Sequence, residues 1–181
     1  MKLALALLIS TSVALPVYAA EDYAQRGYSL LNRGSYSQAV TMYAAAIRQN
    51  PSDLELRRQL CSAYIGAGMP REAIQQLQAL STISPATARE LNMQGEAYNQ
   101  LGNSRSAIAA YRQALAQDPS NSTATIGLAR TLLYTGEQNS AKSVLNAALR
   151  TTRDPETRRQ IMQMLSTVKD RERVEHQEAK A

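Results

Sequence analysis

Cysteine and histidine often serve as nucleophiles, general bases or metal ligands, and this sequence of 181 residues contains one of each. Cys61 lies in an apolar segment that reads as helix, whereas His176 lies in a charged segment near the end of the sequence. A thiol–imidazole pair would require these two distant residues to be neighbours. One cysteine and one histidine cannot form the usual zinc sites, and a single cysteine excludes an intramolecular disulfide.

Other catalytic patterns are also missing from the sequence. It contains no glycine-rich phosphate-binding loop, no metal-ligand spacing and no paired acid–base cluster, and Gly66-Ala67-Gly68 fits the end of a helix. We therefore expect a protein that is not an enzyme and that has no cofactor and no metal. If an activity were detected, Cys61 would be the residue to replace with alanine first.

The charge of the chain is basic but evenly distributed. The sequence has 20 lysine and arginine residues and 15 acidic residues, and all nine aromatic residues are tyrosines. Because the basic residues are interspersed with acidic ones and form no block with interleaved aromatics, we expect no nucleic-acid partner. Contact with a membrane is expected to be peripheral at most, through salt-sensitive attraction to anionic lipid or cell-wall polymers.

The segment Ala86–Pro119 predicts a helical hairpin. Its apolar and small residues recur at spacings of three and four, which places them on one stripe of each helix. Gly102 suits the end of the first helix because glycine adopts the left-handed conformation with the least strain, and Pro119 ends the second. The stripe residues, which we expect to be packing residues, are Leu91, Gly95 and Tyr98 on the first helix and Ala107, Ile108, Tyr111 and Ala114 on the second.

Three residue types recur along the chain with one shared period. A fixed period of this size indicates repeated helical hairpins, because a single hairpin cannot bury its own apolar face and neighbouring hairpins must stack on it. The recurring positions are Gly34, Gly68, Gly102 and Gly136; Ala39, Ala73, Ala107 and Ala141; and Pro51, Pro85 and Pro119.

Cys61 has an assigned place within this repeat. It occupies the slot at the contact between the two helices that holds Gly27, Gly95 and Ala129 in the other repeats. We therefore interpret Cys61 as a buried packing residue and not as a nucleophile.

These residues resemble the tetratricopeptide repeat family, whose pattern is an aromatic residue, Leu-Gly and Tyr on the first helix, and Ala, an aromatic residue and Pro on the second. The sequence departs from it at Arg57 and Thr125, where the bulky first position is underfilled, and at Arg26 and Gln94, which replace the leucine of Leu-Gly. The matching residues are Leu60, Cys61 and Tyr64; Leu91, Gly95 and Tyr98; and the pairs Ala39–Tyr43, Ala73–Leu77, Ala107–Tyr111 and Ala141–Leu145.

The resemblance implies an all-α fold, a right-handed α-solenoid of four hairpins followed by a C-terminal capping helix. Asp154 and Pro155 begin this last helix, and the residues expected to face water include Arg158, Arg159 and Gln163. Its apolar stripe is Ile161, Met164, Leu165 and Val168. The predicted divisions are a signal peptide at 1–19, an array at 20–153 with units 20–53, 54–87, 88–121 and 122–153, the capping helix at 154–170, and a charged tail at 171–181.

The segment 1–19 predicts a cleaved signal peptide. Lys2 precedes an apolar run at 3–15, Pro16 is expected to break the helix, and Val17-Tyr18-Ala19 places small residues where a signal peptidase reads them. We expect cleavage between Ala19 and Ala20 and a periplasmic or secreted product. The alternative is an uncleaved membrane anchor, for which the run is short.

The resemblance also implies a ligand site, since the first helices of such arrays line a concave groove that holds a peptide of a partner protein. Arginine and asparagine there would bond a main chain or carboxylates, and tyrosine would hold apolar anchors. The alternative is that these positions are ordinary solvated ones. Transferred to this sequence, the groove residues are Tyr28, Leu31, Arg58, Gln59, Asn92, Glu96, Asn99, Arg130 and Tyr134.

Two functions follow from the resemblance and the signal peptide. The first is an exported scaffold or adaptor that binds a protein or peptide partner during assembly or maintenance of a cell-envelope complex, such as pilus, secretion or outer-membrane machinery. The second is a periplasmic holding chaperone for secreted or pilus subunits. The sequence leaves open the identity of the partner, the oligomeric state and a docking role for the charged tail.

Overall fold

The structure is a computed structural model that describes residues 11–178 and 180. Within these residues the chain forms nine α-helices and no β-strand. None of these helices is both long and apolar enough to span a membrane. The helices are α1 (Thr11–Asn32), α2 (Tyr36–Gln49), α3 (Leu54–Gly66), α4 (Pro70–Ser81), α5 (Ala88–Gln100), α6 (Ser104–Gln117), α7 (Ser122–Tyr134), α8 (Gln138–Thr151) and α9 (Pro155–Glu178).

The helices fall into two compact units that meet in sequence between Pro85 and Ala86. In the first unit, α1 packs on α2, α2 on α3, and α3 on α4. In the second unit, each helix from α5 to α8 packs on the helix that follows it, and α5 also contacts α7 directly. The second unit therefore brings the first helices of two successive hairpins side by side.

Each hairpin turns at a glycine in the left-handed conformation. At Gly102 the backbone φ is 73°, a value that costs little only in the absence of a Cβ. The Gly102 N–H donates to the carbonyl of Asn99, and the Asn103 N–H donates to the carbonyl of Tyr98, both at 2.9 Å. These bonds satisfy carbonyls at the end of α5. The predicted helix end at Gly102 is confirmed.

Side-chain caps define where the first helices begin. Asp53 accepts hydrogen bonds from the backbone N–H groups of Glu55 and Leu56, at 2.9 and 3.1 Å. Thr87 and Glu90 form a reciprocal capping box at the start of α5, and Asn121 caps α7 through the N–H of Ala124 at 3.0 Å. Each cap satisfies backbone donors that the first turn of a helix leaves without partners.

Small residues carry the packing of each hairpin, as the repeat period predicted. Ala39, Ala73, Ala107 and Ala141 are fully buried. In the first unit, Ala39 belongs to a cluster that also contains Tyr43, Ala46, Leu56, Leu60 and Ala63. The second unit has a cluster formed by Leu91, Ala107, Ile108, Tyr111, Ala114, Ala124, Leu128, Leu132 and Ala141.

Helix α9 covers the last hairpin, as its apolar stripe predicted. Ile161 is fully buried with Ala129 and Leu145, and Met164 and Leu165 pack against them. The Thr157 N–H donates to Asp154 at 2.7 Å, which confirms the predicted cap. The helix continues past residue 170 to Glu178, and Lys142 of α8 donates to both carboxylate oxygens of Glu172 at 2.8 Å.

Two local expectations are wrong. Pro16 does not break a helix, because α1 runs continuously from Thr11 to Asn32; a proline removes its own hydrogen bond, and bonds on either side maintain the helix. Arg158 does not simply face water, since its guanidinium donates to the carbonyls of Leu149 and Thr152, at 2.7 and 3.2 Å. A long side chain on an outward position can still reach a neighbouring helix end. Residues 1–10 of the predicted signal peptide lie outside the described residues.

Candidate functional site

A cavity of about 700 Å³ lies within the second unit. Helix α5 lines one side and α7 lines another, while Tyr111 of α6 and Thr157 and Gln160 of α9 complete the wall. The lining is mostly amide and hydroxyl side chains, with one acidic and one basic residue among them. A concave site with a few convergent polar groups is the usual form of a ligand site.

Five residues predicted from the sequence line this cavity together. Asn92, Glu96 and Asn99 project from α5, and Arg130 and Tyr134 project from α7. They come together because α5 and α7 are packed against each other and because residues three or four apart share one helix face. Tyr134 is 83% exposed and is available to an apolar group of a ligand.

The other four predicted residues lie in the first unit and have varied surroundings. Tyr28 is 58% exposed, whereas Leu31 is half-buried against the cluster around Tyr43. Gln59 donates to a Glu55 carboxylate oxygen at 2.8 Å, and the Arg58 guanidinium lies 3.6 Å from the other. Leu31 therefore contributes to the core of this unit, and Arg58 and Gln59 are both engaged with Glu55.

Asn99 is fixed by a network that crosses three helices. Its amide nitrogen donates to the hydroxyl of Thr131 on α7 at 2.8 Å and to the hydroxyl of Tyr111 on α6 at 3.3 Å. The Thr131 hydroxyl in turn donates to the carbonyl of Gly127 at 2.7 Å. The network holds one wall of the cavity in place before any ligand arrives, which lowers the entropy lost on binding.

Two opposite charges, Glu96 and Arg130, act on the buried Tyr111 phenol. Burial and then the Glu96 carboxylate raise the pKa of Tyr111 to about 12, and the hydrogen bond from Asn99 and the charge of Arg130 oppose this shift. In the described part of the chain neither Glu96 nor Arg130 forms an ion pair. Both charges therefore remain available to a charged ligand.

Asn92 lines the same cavity, and the oxygen of its side chain is buried. Its side-chain oxygen Oδ1 is shielded from solvent and has no hydrogen-bond partner among the described residues. A buried polar atom without a partner costs about 1–3 kcal/mol, and native proteins contain few of them.

Sequence reasoning missed three kinds of lining residue. Tyr111 was assigned to packing alone, Thr131 was not singled out, and Thr157 and Gln160 belong to a helix that was expected only to cap the array. The apolar stripe of α9 predicted its packing. Thr157 and Gln160 are polar and lie within about one turn before Ile161, where the stripe begins. They were the available sequence signal that α9 also contacts the cavity.

Cys61 is not among the residues that line this cavity. The Cys61 side chain has no exposed surface, in agreement with its interpretation as a packing residue. Across the residues that the structure describes, no three His, Cys, Asp or Glu side chains are grouped so that they could hold a metal ion. The His176 side chain lies outside the described set.

Comparison with known proteins gives consistent matches to helical-repeat proteins. The sequence model of the tetratricopeptide repeat matches residues 30–92 and 98–165. The chain is 28% identical over 126 residues to cellulose synthase operon protein C of Pseudomonas fluorescens (strain SBW25), covering 64% of this chain and 10% of that protein. It is 28% identical over 128 residues to small glutamine-rich tetratricopeptide repeat-containing protein 2 of Mycosarcoma maydis, covering 71% and 35%. The chain thus spans about a third or less of these relatives.

A solved structure shows the same fold. The crystal structure of a thermophilic tetratricopeptide repeat protein from Thermus thermophilus matches with a TM-score of 0.69 at 22% identity, covering 83% of this chain and 81% of that chain. The predicted fold class, an all-α fold of successive helical hairpins, is confirmed.

Proposed function

The chain belongs to the tetratricopeptide repeat family, and on this premise we propose that it is an exported adaptor that holds a peptide segment of a partner protein in the cavity of its second unit. Proteins of this family generally mediate protein–protein interactions and scaffolding. The observation that carries the proposal is the convergence of Asn92, Glu96, Asn99, Arg130 and Tyr134 on one cavity of about 700 Å³.

The chemistry of this cavity suits a peptide. Amide side chains offer both donors and acceptors, which match the N–H and C=O groups of a main chain. Arg130 and Glu96 would pair with charged side chains, and the exposed Tyr134 would cover an apolar one. We place the partner in a cell-envelope complex whose assembly or maintenance this adaptor supports.

Export is supported by the register of the helices. The helices α3, α5 and α7 begin at Leu54, Ala88 and Ser122, one repeat period apart, and each contains 13 residues. The same step backwards from Leu54 reaches Ala20. Cleavage between Ala19 and Ala20 would leave a first helix of Ala20–Asn32, which has the same length as those three. The proposed mature protein therefore begins where the repeat begins.

Export is tested by fractionating cells and determining the N-terminus of the protein by intact mass. We expect Ala20 as the first residue of a periplasmic or secreted form. An Ala19→Asp variant should accumulate as uncleaved precursor, because a charged residue stands where the peptidase requires a small one. Ala19→Ser is the matched control and should be processed. A mature N-terminus at any other residue would contradict the cleavage site.

The adaptor function is tested by photo-crosslinking in living cells. A crosslinking amino acid at Tyr134 should capture one defined envelope protein, and the control position is Ile83, which is 62% exposed in the other unit. Capture at Tyr134 should fall when Arg130→Glu is added. Equal capture from both positions would rule out binding at this cavity, and many clients captured regardless of Arg130 would favour a holding chaperone.

A further inference from the structure

Three side chains of α7 line the cavity at equal steps. Ile126, Arg130 and Tyr134 all face it and are four residues apart along the helix. At about 1.5 Å of rise per residue, each step is about 6 Å. In an extended segment, side chains two residues apart point to the same side and are about 6.6 Å apart. The stripe on α7 therefore matches alternate side chains of an extended peptide.

The order of chemistry along this stripe is apolar, basic, apolar. Ile126 is half-buried, Arg130 is exposed and without an ion pair in the described part of the chain, and Tyr134 is largely exposed. A ligand that complements this order presents an apolar group, a carboxylate and a second apolar group. Because the order is symmetric about Arg130, either chain direction of the ligand satisfies it.

The neighbouring helix α5 has a polar stripe at the same spacing. Asn92, Glu96 and Gln100 are also four residues apart and line the cavity. Glu96 would repel a second acidic side chain and favours a polar or basic residue on its side of the ligand.

We propose that the cavity selects an extended segment with the pattern apolar–x–acidic–x–apolar, in which the acidic side chain pairs with Arg130 and the two apolar side chains contact Ile126 and Tyr134. This inference rests on the proposed function, since it names the class of segment that the adaptor binds. The carboxylate belongs to a side chain and not to a chain terminus, because apolar contacts continue on both sides of Arg130.

The test is selection of random dodecapeptides, displayed on phage, against the purified protein. Selected sequences should be enriched in apolar–x–Asp/Glu–x–apolar. In peptides that are selected on the Arg130→Glu variant, Lys or Arg should take the place of the acidic residue in the pattern. The matched control is Arg112→Glu on the outer side of α6, where the arginine is also exposed, and it should return the wild-type pattern. An amidated peptide of the selected sequence should bind roughly tenfold more weakly when its acidic residue is changed to the amide.

The outcomes separate this inference from the function on which it rests. Peptides that are selected without a preference for acidic residues, or whose pattern Arg130→Glu leaves unchanged, would overturn the inference while peptide binding stands. Binding of a selected synthetic peptide as the free acid but not as the C-terminal amide would overturn the assignment to a side chain. Failure to select any peptide would overturn the proposed binding at this cavity and the inference with it.

Discussion

The ring of Tyr111 occupies the space in which a side chain at Gly95 would have to lie. A Cβ added to Gly95 would be 2.6 Å from Cε1 of Tyr111, and one added to Gly127 would be 2.5 Å from Cζ of the same ring. The ring is thus held between α5 and α7 by two glycines, while its hydroxyl accepts a hydrogen bond from Asn99.

The position of Gly95 in its hairpin is equivalent to Gly27, Cys61 and Ala129 in the others. At this position, the size of the residue is balanced by the size of the side chain on the second helix. In the first hairpin, a Cβ on Gly27 would be 2.9 Å from the ring of Tyr43, so a glycine again faces a tyrosine. In the fourth hairpin, Ala129 shares a cluster with the smaller Leu145. A residue with a Cβ is therefore accommodated where the second helix carries leucine, which also fits the fully buried Cys61 in the hairpin of Leu77.

The first prediction concerns Gly95→Ala. The added methyl group overlaps the clamped ring of Tyr111, and we expect the free energy of unfolding to fall by about 1–3 kcal/mol. Urea denaturation followed by circular dichroism measures the change. The intrinsic preference of alanine for a helix acts in the opposite direction by at most about 1 kcal/mol, so a stabilised variant would contradict the clash.

The control for this prediction copies the fourth hairpin. In a Tyr111→Leu background, Gly95→Ala should cost less than it does in the wild type, because leucine leaves room for the methyl group, as at Ala129 and Leu145. The difference between the two costs is the coupling energy of the pair. An equal cost in both backgrounds would show that the ring is not the cause.

The second prediction is a loss of stability at alkaline pH that belongs to Tyr111. Burial and the Glu96 carboxylate raise the pKa of this phenol to about 12, whereas an unfolded tyrosine titrates near 10. The unfolded chain therefore loses this proton first. The stabilisation is complete below pH 10 and is lost as the pH rises towards 12, because deprotonation then favours the unfolded state.

Denaturation with urea between pH 9 and pH 12 measures this effect, and Tyr111→Phe is the control because it keeps the ring and removes the titrating group. The wild type should lose more stability over this range than Tyr111→Phe does. The comparison cancels the titration of lysines and other tyrosines, which both proteins share. Parallel curves would show that the pKa of Tyr111 is not raised in the folded state.

Much of the fold was readable from the sequence because the constraints on it are local. Gly102 marks the turn of its hairpin, and the fully buried Ala107 marks the contact between its helices. The equivalent glycine and alanine recur in every hairpin. The error at Pro16 came from a local rule applied where flanking hydrogen bonds maintain the helix. The error at Arg158 came from the reach of a long side chain, which helical periodicity does not describe.

The candidate site was readable only in part. Asn92, Glu96 and Arg130 were found because family geometry places them on the inner faces of first helices, and two of these helices are packed together. The roles of Asn99 and Tyr111 depend on hydrogen bonds between helices, and Thr157 reaches the cavity from a helix beyond the array. Such tertiary contacts leave no periodic signal in a sequence.

The third prediction concerns Asn92→Leu. Leucine has nearly the shape of asparagine and removes the buried acceptor that has no partner among the described residues. We expect the free energy of unfolding to rise by about 1 kcal/mol. Gln94→Leu, a half-buried position on the same helix, is the control and should raise it less, because this change removes no unpartnered buried atom among the described residues. A loss of stability in Asn92→Leu would show that Oδ1 is satisfied in the free protein.

The last prediction concerns the ion pair that fastens the end of α9. Lys142 lies 2.8 Å from the carboxylate of Glu172, and both side chains are about two-thirds shielded from solvent, at 34% and 35% exposure. Glu172→Gln should increase the rate of hydrogen exchange in the last two turns of α9, because this ion pair joins the end of α9 to α8. The control is Asp170→Asn, whose partner Arg173 is 73% exposed and 4.0 Å away, and it should change exchange little, since exposed pairs contribute about 0–1 kcal/mol. Unchanged exchange in Glu172→Gln would mean that the ion pair does not hold the end of α9 in place.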